Sequence, residues 1–234
     1  MLEALHTVLV PGLLCTPRLY AEQLPALWRL GPVTLADHTR DADMASIARR
    51  ILASAPAQFA LVALSMGGYI SFEILRQAPE RVLRLVLLDT TARSDTPEQS
   101  EVRRGLMALA TEGRFAEVSE RLFPRFVHRQ RHSDLALRQL VRAMAEQTGA
   151  EAFLRQEAAL LSRPDSRANL SAIRCPTTVI VGDGDELTPP ELAREIANGI
   201  AGARLIEIPG SGHLSTLERP EEVTAALVQA LTAR

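Results

Sequence analysis

The chain has no lysine: all 26 of its basic residues are arginine. That bias is read as codon usage in a GC-rich bacterial genome, not as chemistry. Aromatic residues make up only 4% of the 234 positions, so the core must be built from aliphatic side chains. The two cysteines, Cys15 and Cys175, are too few and too far apart for a disulfide framework and are expected to be reduced. No apolar run approaches the roughly 18 residues that a membrane span needs. No basic stretch precedes an apolar segment near residue 1, so a cytoplasmic protein is expected. The net charge of −2 argues against nucleic acid as an electrostatic partner. Internal repeats and low-complexity segments are absent as well.

What remains is an ordinary globular composition, 47% apolar and 23% charged, at a length that suits one α/β domain. Strands are expected at 6–10, 33–36, 59–64, 83–88, 177–181 and 204–208. Amphipathic helices alternate with them. Thr16 and Pro17 open one, with Tyr20, Leu24, Leu27 and Trp28 on a single face. Asp41 and Asp43 open another, with Met44, Ile47, Ala48, Ile51 and Leu52 at helical spacing. Apolar strands alternating with such helices predict an α/β fold: a mostly parallel sheet of about six strands, covered on both faces.

From 96 to 167 the alternation stops and only helices are expected. Thr96-Pro97-Glu98-Gln99 reads as a capping box. Val102, Leu106, Leu109 and Ala110 form one apolar stripe, and Leu137, Leu140, Val141 and Met144 another. Phe115, Leu122, Phe123, Phe126 and Phe153 sit among them. These side chains are expected mainly to pack the insert on itself, with a few lining whatever lies beneath. Six arginines and two histidines between Arg121 and Arg142 face only Asp134 in sequence and are read as a solvated helical face. The sheet resumes at 177. Thr188-Pro189-Pro190-Glu191 reads as a second capping box, and Pro220 opens the last helix.

Ligands collect beyond the carboxyl ends of parallel strands, and four polar sites fall there. Ser65 follows the third strand in the stretch FALVALSMGGY, 59–69. A serine between a strand and a helix, with small residues two positions away on either side, has the design of a nucleophile elbow. Asp183 and Asp185 follow the fifth strand, His213 the sixth, and Gly12 to Leu14 the first. A serine hydroxyl needs a base near neutral pH, an imidazole supplies one, and a carboxylate fixes the imidazole's tautomer. Backbone N–H groups of Leu13 and Met66 are the expected donors to a tetrahedral oxyanion. His6, His38, His128 and His132 are poorer bases by position. Asp183 stays open as an alternative acid, and so, less favourably, does Asp89. Cys15 is read as small apolar filler. No ligand set for a metal and no Gly-rich phosphate loop is seen, so no cofactor is expected.

The segments ALSMGG at 63–68, VGDGDELTPP at 181–190 and GSGHLSTLERPEEV at 210–223 resemble the α/β-hydrolase superfamily, in its serine-nucleophile, esterase-like form with a small helical cap. The resemblance covers nearly the whole chain, with 96–167 matching only as a cap. It implies a core of 1–95 and 168–234 and a cap of 96–167, together one structural domain. It also implies a triad of Ser65, Asp185 and His213, since the family's acid commonly sits third after the glycine that ends its strand. Two departures stand out: Pro11-Gly12 replaces the usual His-Gly of the oxyanion loop, and Ala63 replaces the glycine that usually opens the elbow. The expected activity is hydrolysis of a small-molecule carboxylic ester through an acyl-enzyme. A lactonase, thioesterase or carbon–carbon bond hydrolase with the same triad is the alternative; an aminopeptidase would want carboxylates in the cap for a substrate amine, and none is placed distinctly for that. A slow receptor that keeps the triad is the alternative of another class.

Overall fold

The structure is a computed structural model and describes residues 5–233. The outermost positions of the expected core, 1–4 and 234, lie outside them. Six strands form one sheet: β1 (Thr7–Val10), β2 (Val33–Leu35), β3 (Phe59–Leu64), β4 (Val82–Leu88), β5 (Thr177–Gly182) and β6 (Arg204–Ile208). Their order is β2-β1-β3-β4-β5-β6, and every pair is parallel.

Strand side chains alternate between faces, and here both faces are covered. Ala60, Val62 and Leu64 of β3 join one apolar cluster with Leu27, Val223 and Leu227. These come from α1 (Leu24–Trp28) and α10 (Pro220–Thr232). Phe59, Leu61 and Ala63 join the other cluster with α2 (Met44–Ser54), α3 (Met66–Gln77) and α8 (Pro190–Gly199). All six side chains of β3 are buried, which is why its sequence reads as a continuous apolar run. Register brings Val10 level with Ala63, Leu64 with Leu88, Leu88 with Ile180, and Gly182 with Ile208. The loops after β1, β3, β4, β5 and β6 therefore meet along one edge of the sheet.

Between β4 and β5 the chain is helical: α4 (Pro97–Thr111), α5 (Phe115–Phe126), α6 (Leu135–Thr148) and α7 (Ala150–Leu161). The Thr96 capping box forms as expected, with Thr96 Oγ1 accepting from Gln99 N and Gln99 Oε1 accepting from Thr96 N. Leu106, Leu122, Phe123, Phe153 and Met144 belong to the same apolar cluster as one face of the sheet. The arginine-rich stretch finds acids that flank it: Arg121 pairs with Glu117, Arg138 with Glu120, Arg142 with Glu146 and Arg131 with Asp134.

Local expectations fail where proline or a competing partner intervenes. The helix expected after Thr16 splits into a 3-10 turn, Pro17–Tyr20, and the short α1. Pro25 lacks an N–H and opens α1 as a separate helix; Tyr20, Leu24 and Leu27 still pack on one apolar cluster, but Trp28 is 61% exposed. Thr188 does not cap α8, whose N-cap is Pro189 with no side-chain bond. Its hydroxyl instead donates to Asp185 Oδ2. Asp43 caps α2 through Ser46 N, while Asp41 pairs with Arg50. Val102 is half-exposed because it faces a cavity and not the packed side of α4. The turn of helix at Ser215–Glu218, α9, carries no sequence expectation at all.

Candidate active site

Ser65 sits at the hinge between β3 and α3 with φ 56° and ψ −114°. That is a left-handed conformation that a non-glycine residue adopts at a cost of about 1–3 kcal/mol, offset by its surroundings. The surroundings are specific. Ser65 N donates to Leu88 O at 2.9 Å. Ser65 O accepts from Gly68 N and from Thr90 Oγ1, both at 2.8 Å. Gly67 is required by close approach: a Cβ there would overlap the Val10 carbonyl.

His213 Nε2 lies 2.8 Å from Ser65 Oγ, and His213 Nδ1 lies 2.8 Å from Asp185 Oδ2. The three residues span 148 positions of sequence and meet because their strands end level. The Asp185 carboxylate accepts from Leu187 N at 2.8 Å, Thr188 N at 3.0 Å and Thr188 Oγ1 at 2.7 Å. Burial alone would push the Asp185 carboxyl up. The adjacent imidazole and these donors outweigh it, and its pKa lies below the ordinary value. Burial likewise disfavours the His213 imidazolium, but the Asp185 charge and hydrogen bond prevail and its pKa lies above 6.5. Phe126 covers the ring, with centroids 6.1 Å apart and planes within 18°.

The alternative acids face elsewhere. Asp183 Oδ1 accepts from Gly210 N at 2.8 Å and Ser211 N at 3.4 Å. It clips the histidine loop to β5, whereas the Asx turn on this loop is made by Asp185. Asp89 is fully buried with φ 46°. It accepts from Gly182 N at 2.9 Å and is bonded to Ser215 Oγ. Burial, with the Asp185 charge beside it, pushes its pKa up to about 8. Neither residue bonds the imidazole.

The loop after β1 approaches Ser65 from the other side, where Gly12 packs on Ser65 Cβ. Leu14 holds φ 60°, Leu14 N donates to Gln156 Oε1 at 3.2 Å, and Cys15 N donates to Gly12 O at 3.1 Å. Leu13 N finds no protein acceptor among the described residues. Met66 N belongs to the first turn of α3, whose amides have no partner within the helix. Leu13, Ser65, Met66 and His213 share a cavity of about 310 Å³ that continues under Leu106 and Leu122 of the insert. The Cys15 thiol lies in the apolar cluster, where burial pushes it up to about 12.

Sequence reasoning gave Gln156 and Glu218 no role, and read Thr188 as a helix cap, Phe126 as insert packing and His128 as a poorer base. Glu218 accepts from Gly212 N at 2.8 Å and His128 N at 2.7 Å, and Leu214 N donates to Phe126 O at 3.0 Å. The end of α5 is thereby tied to the histidine loop. Gly212 permits this, since a Cβ there would strike the His128 amide. The only signal for any of these in the sequence is the glycine pair flanking Ser211. Among the described residues, no group of three His, Cys, Asp or Glu side chains is placed to hold a metal, and no helix is long and apolar enough to cross a membrane.

Comparison with known proteins identifies the family. The profile of the Alpha/beta hydrolase family matches residues 6–226. A Mycobacterium tuberculosis protein bearing the provisional name non-heme bromoperoxidase BpoC is 30% identical over 184 residues, 75% of this chain and 68% of its own length. A pimeloyl-[acyl-carrier protein] methyl ester esterase of Aromatoleum aromaticum is 30% identical over 214 residues, 85% of this chain and 86% of its own. Among solved structures, a thermophilic esterase from Thermogutta terrifontis superposes with a TM-score of 0.87 at 29% identity, covering 95% of this chain and 88% of that one. The chain belongs to the alpha/beta hydrolase family.

Proposed function

We propose that the protein is a serine hydrolase that cleaves a carboxylic ester through an acyl-enzyme. Ser65 Oγ attacks the carbonyl carbon. His213 Nε2 takes the hydroxyl proton and delivers it to the leaving alcohol. The Asp185 carboxylate holds the Nδ1–H tautomer and stabilises the imidazolium. The Leu13 and Met66 N–H groups receive the oxyanion. Water then enters with His213 as base and releases the acid, so no cofactor is consumed. In this reading 96–167 is a cap over a core of 1–95 and 168–234, and the cavity beneath it takes a small-molecule ester.

The observation that carries the reading is the unbroken relay from Ser65 Oγ through His213 to Asp185, 2.8 Å at each step. The esterase names of two of the relatives point to the same bond. An aminopeptidase is disfavoured. Of the carboxylates on the cavity wall, the buried pair Asp95 and Glu157 already face Arg103 and Arg163, and the third, Glu98, is exposed in the first turn of α4, so no unpaired carboxylate is buried there to hold a substrate ammonium. A lactonase or thioesterase would use the same atoms. A fluorophosphonate probe is expected to label Ser65, and Ser65→Ala to lose both labelling and turnover of p-nitrophenyl esters. Label on another residue would overturn the assignment. A single burst with no steady-state turnover would favour the receptor.

A further inference from the structure

The loop after β1 that carries Leu13 is met by a histidine from outside it. His38, beyond the end of β2, is 2% exposed, and its Nε2 lies 2.9 Å from Gly12 O. A carbonyl oxygen only accepts, so Nε2 carries the proton. Burial lowers the pKa of this imidazole, which keeps it neutral.

Gly12 C=O and Leu13 N–H are the two ends of one peptide unit. In a planar trans peptide they point in opposite directions. Whatever holds the carbonyl on one side therefore aims the N–H on the other. Cys15 N also bonds Gly12 O, at 3.1 Å, and Gln156 Oε1 holds the next amide, Leu14 N. Leu14 sits at φ 60°, which strains the backbone where the following peptide, the one Gln156 holds, joins it, so the loop needs clamps on both peptide units.

We propose that His38 is a positioning residue for the oxyanion hole, donating from Nε2–H to Gly12 O so that the Leu13 N–H points at the developing oxyanion. The inference rests on the hydrolase reading above. It assigns the task of holding that peptide unit to a side chain from the loop after β2. As negative charge builds on the substrate oxygen, the Leu13 N–H polarises, Gly12 O gains electron density, and the His38 bond strengthens with it. The bond therefore favours the tetrahedral state over the bound ester, which raises kcat without tightening KM.

Three variants and one spectrum test this. His38→Phe keeps the ring and removes the donor. It is expected to lower kcat on a p-nitrophenyl ester at least about tenfold, with KM within about twofold, since losing an oxyanion donor outright costs about 100- to 1000-fold. Binding of phenylboronic acid, which forms a tetrahedral anion on a serine, should weaken by a similar factor. His38→Gln puts an amide N–H at nearly the same reach and is expected to restore kcat to within about threefold of wild type. In wild-type protein at pH 8, nitrogen-15 spectra should show His38 as a neutral Nε2–H imidazole. Full kcat in His38→Phe, equal losses in His38→Phe and His38→Gln, or an Nδ1–H tautomer overturns the proposal. If His38→Phe does not fold, the Gln variant and the tautomer still decide. Wild-type protein that turns over no ester and takes no fluorophosphonate at Ser65 overturns instead the reading on which the proposal rests. Ser65→Ala is the third variant, the blank for both.

Discussion

Asp183 and Asp185 lie two residues apart on one loop, yet their carboxylates have different partners. Asp185 holds the imidazole, and Asp183 holds the backbone of the loop that carries it. Asp185→Asn presents an amide that can reverse the tautomer of His213, so kcat is expected to fall about 100- to 10,000-fold. Asp183→Asn keeps an oxygen that can accept from Gly210 N, and kcat should stay within about threefold. Side-by-side kinetics on one ester check this, and the opposite ranking would exchange the two roles. At this scale the sequence was legible wherever chemistry imposes a spacing. The small residues around Ser65 and the glycines before His213 are local signals, while the choice of Asp185 over Asp183 is what the family resemblance implies. His38, Gln156 and Thr188 were not legible, because each acts on a backbone group or side chain that only folding brings near. His38 acts across 26 positions and Gln156 across 142.

The helical insert is joined to the site by a buried charge cluster as well as by apolar packing. Arg103 of α4 bridges Asp95, at 2.6 Å, and Glu157 of α7, at 2.9 Å, and Arg163 adds a second bond to Asp95 at 2.7 Å. Burial raises the Glu157 carboxyl above its ordinary pKa, although Arg103 opposes this. Arg103→Met leaves that carboxyl without its cation, and a loss of about 3–5 kcal/mol is expected near pH 8. The sign with pH follows from proton binding. In the variant the folded state keeps a proton on Glu157 that the unfolded state releases above about pH 4.3, so the deficit shrinks toward pH 5. Adding Glu157→Met to Arg103→Met should recover much of the loss. Urea unfolding of both variants at pH 5 and pH 8 checks it. At this scale the sequence disclosed the existence of α4 through α7 but not this cluster. The alternation of charged and apolar residues on a helix is the same whether the charges face water or each other. The same ambiguity hid the failure of the Thr188 cap: the residues match a capping box, and Asp185 competes for the hydroxyl.

Taken as a whole, the molecule places three ionisable groups of the site under the end of one sheet, and their linkage sets stability and activity against each other. The parallel sheet itself was legible from six apolar runs, whereas its strand order came only from the fold. The electrostatics of its carboxyl edge were not, since they arise from burial. Asp89 has a folded pKa of about 8 against 3.8 for an ordinary aspartate. Between those values the folded state holds a proton that the unfolded state has lost, so stability falls as pH rises, by up to about 1.4 kcal/mol per pH unit. His213 has a folded pKa above 6.5, and it too stabilises the acid side and loses that contribution as pH rises through its folded value. Asp185, with its lowered pKa, contributes stability above 3.8 that is lost as pH falls further. The fold is therefore expected to be most stable in mildly acidic solution, at roughly pH 4–6. In the proposed mechanism catalysis needs the opposite, because only the neutral imidazole could accept the Ser65 proton, so kcat/KM is expected to rise with pH to a plateau through an inflection above 6.5. Melting temperature and kcat/KM measured together from pH 5 to 9 are expected to run in opposite directions. Asp89→Asn keeps an acceptor for Gly182 N, gives Ser215 Oγ a donor and does not ionise, so its melting temperature should decline far less over the same range. A wild-type melting curve that climbs from pH 5 to 8 would show that Asp89 is ionised in the folded protein, and with it the whole edge would carry a different charge.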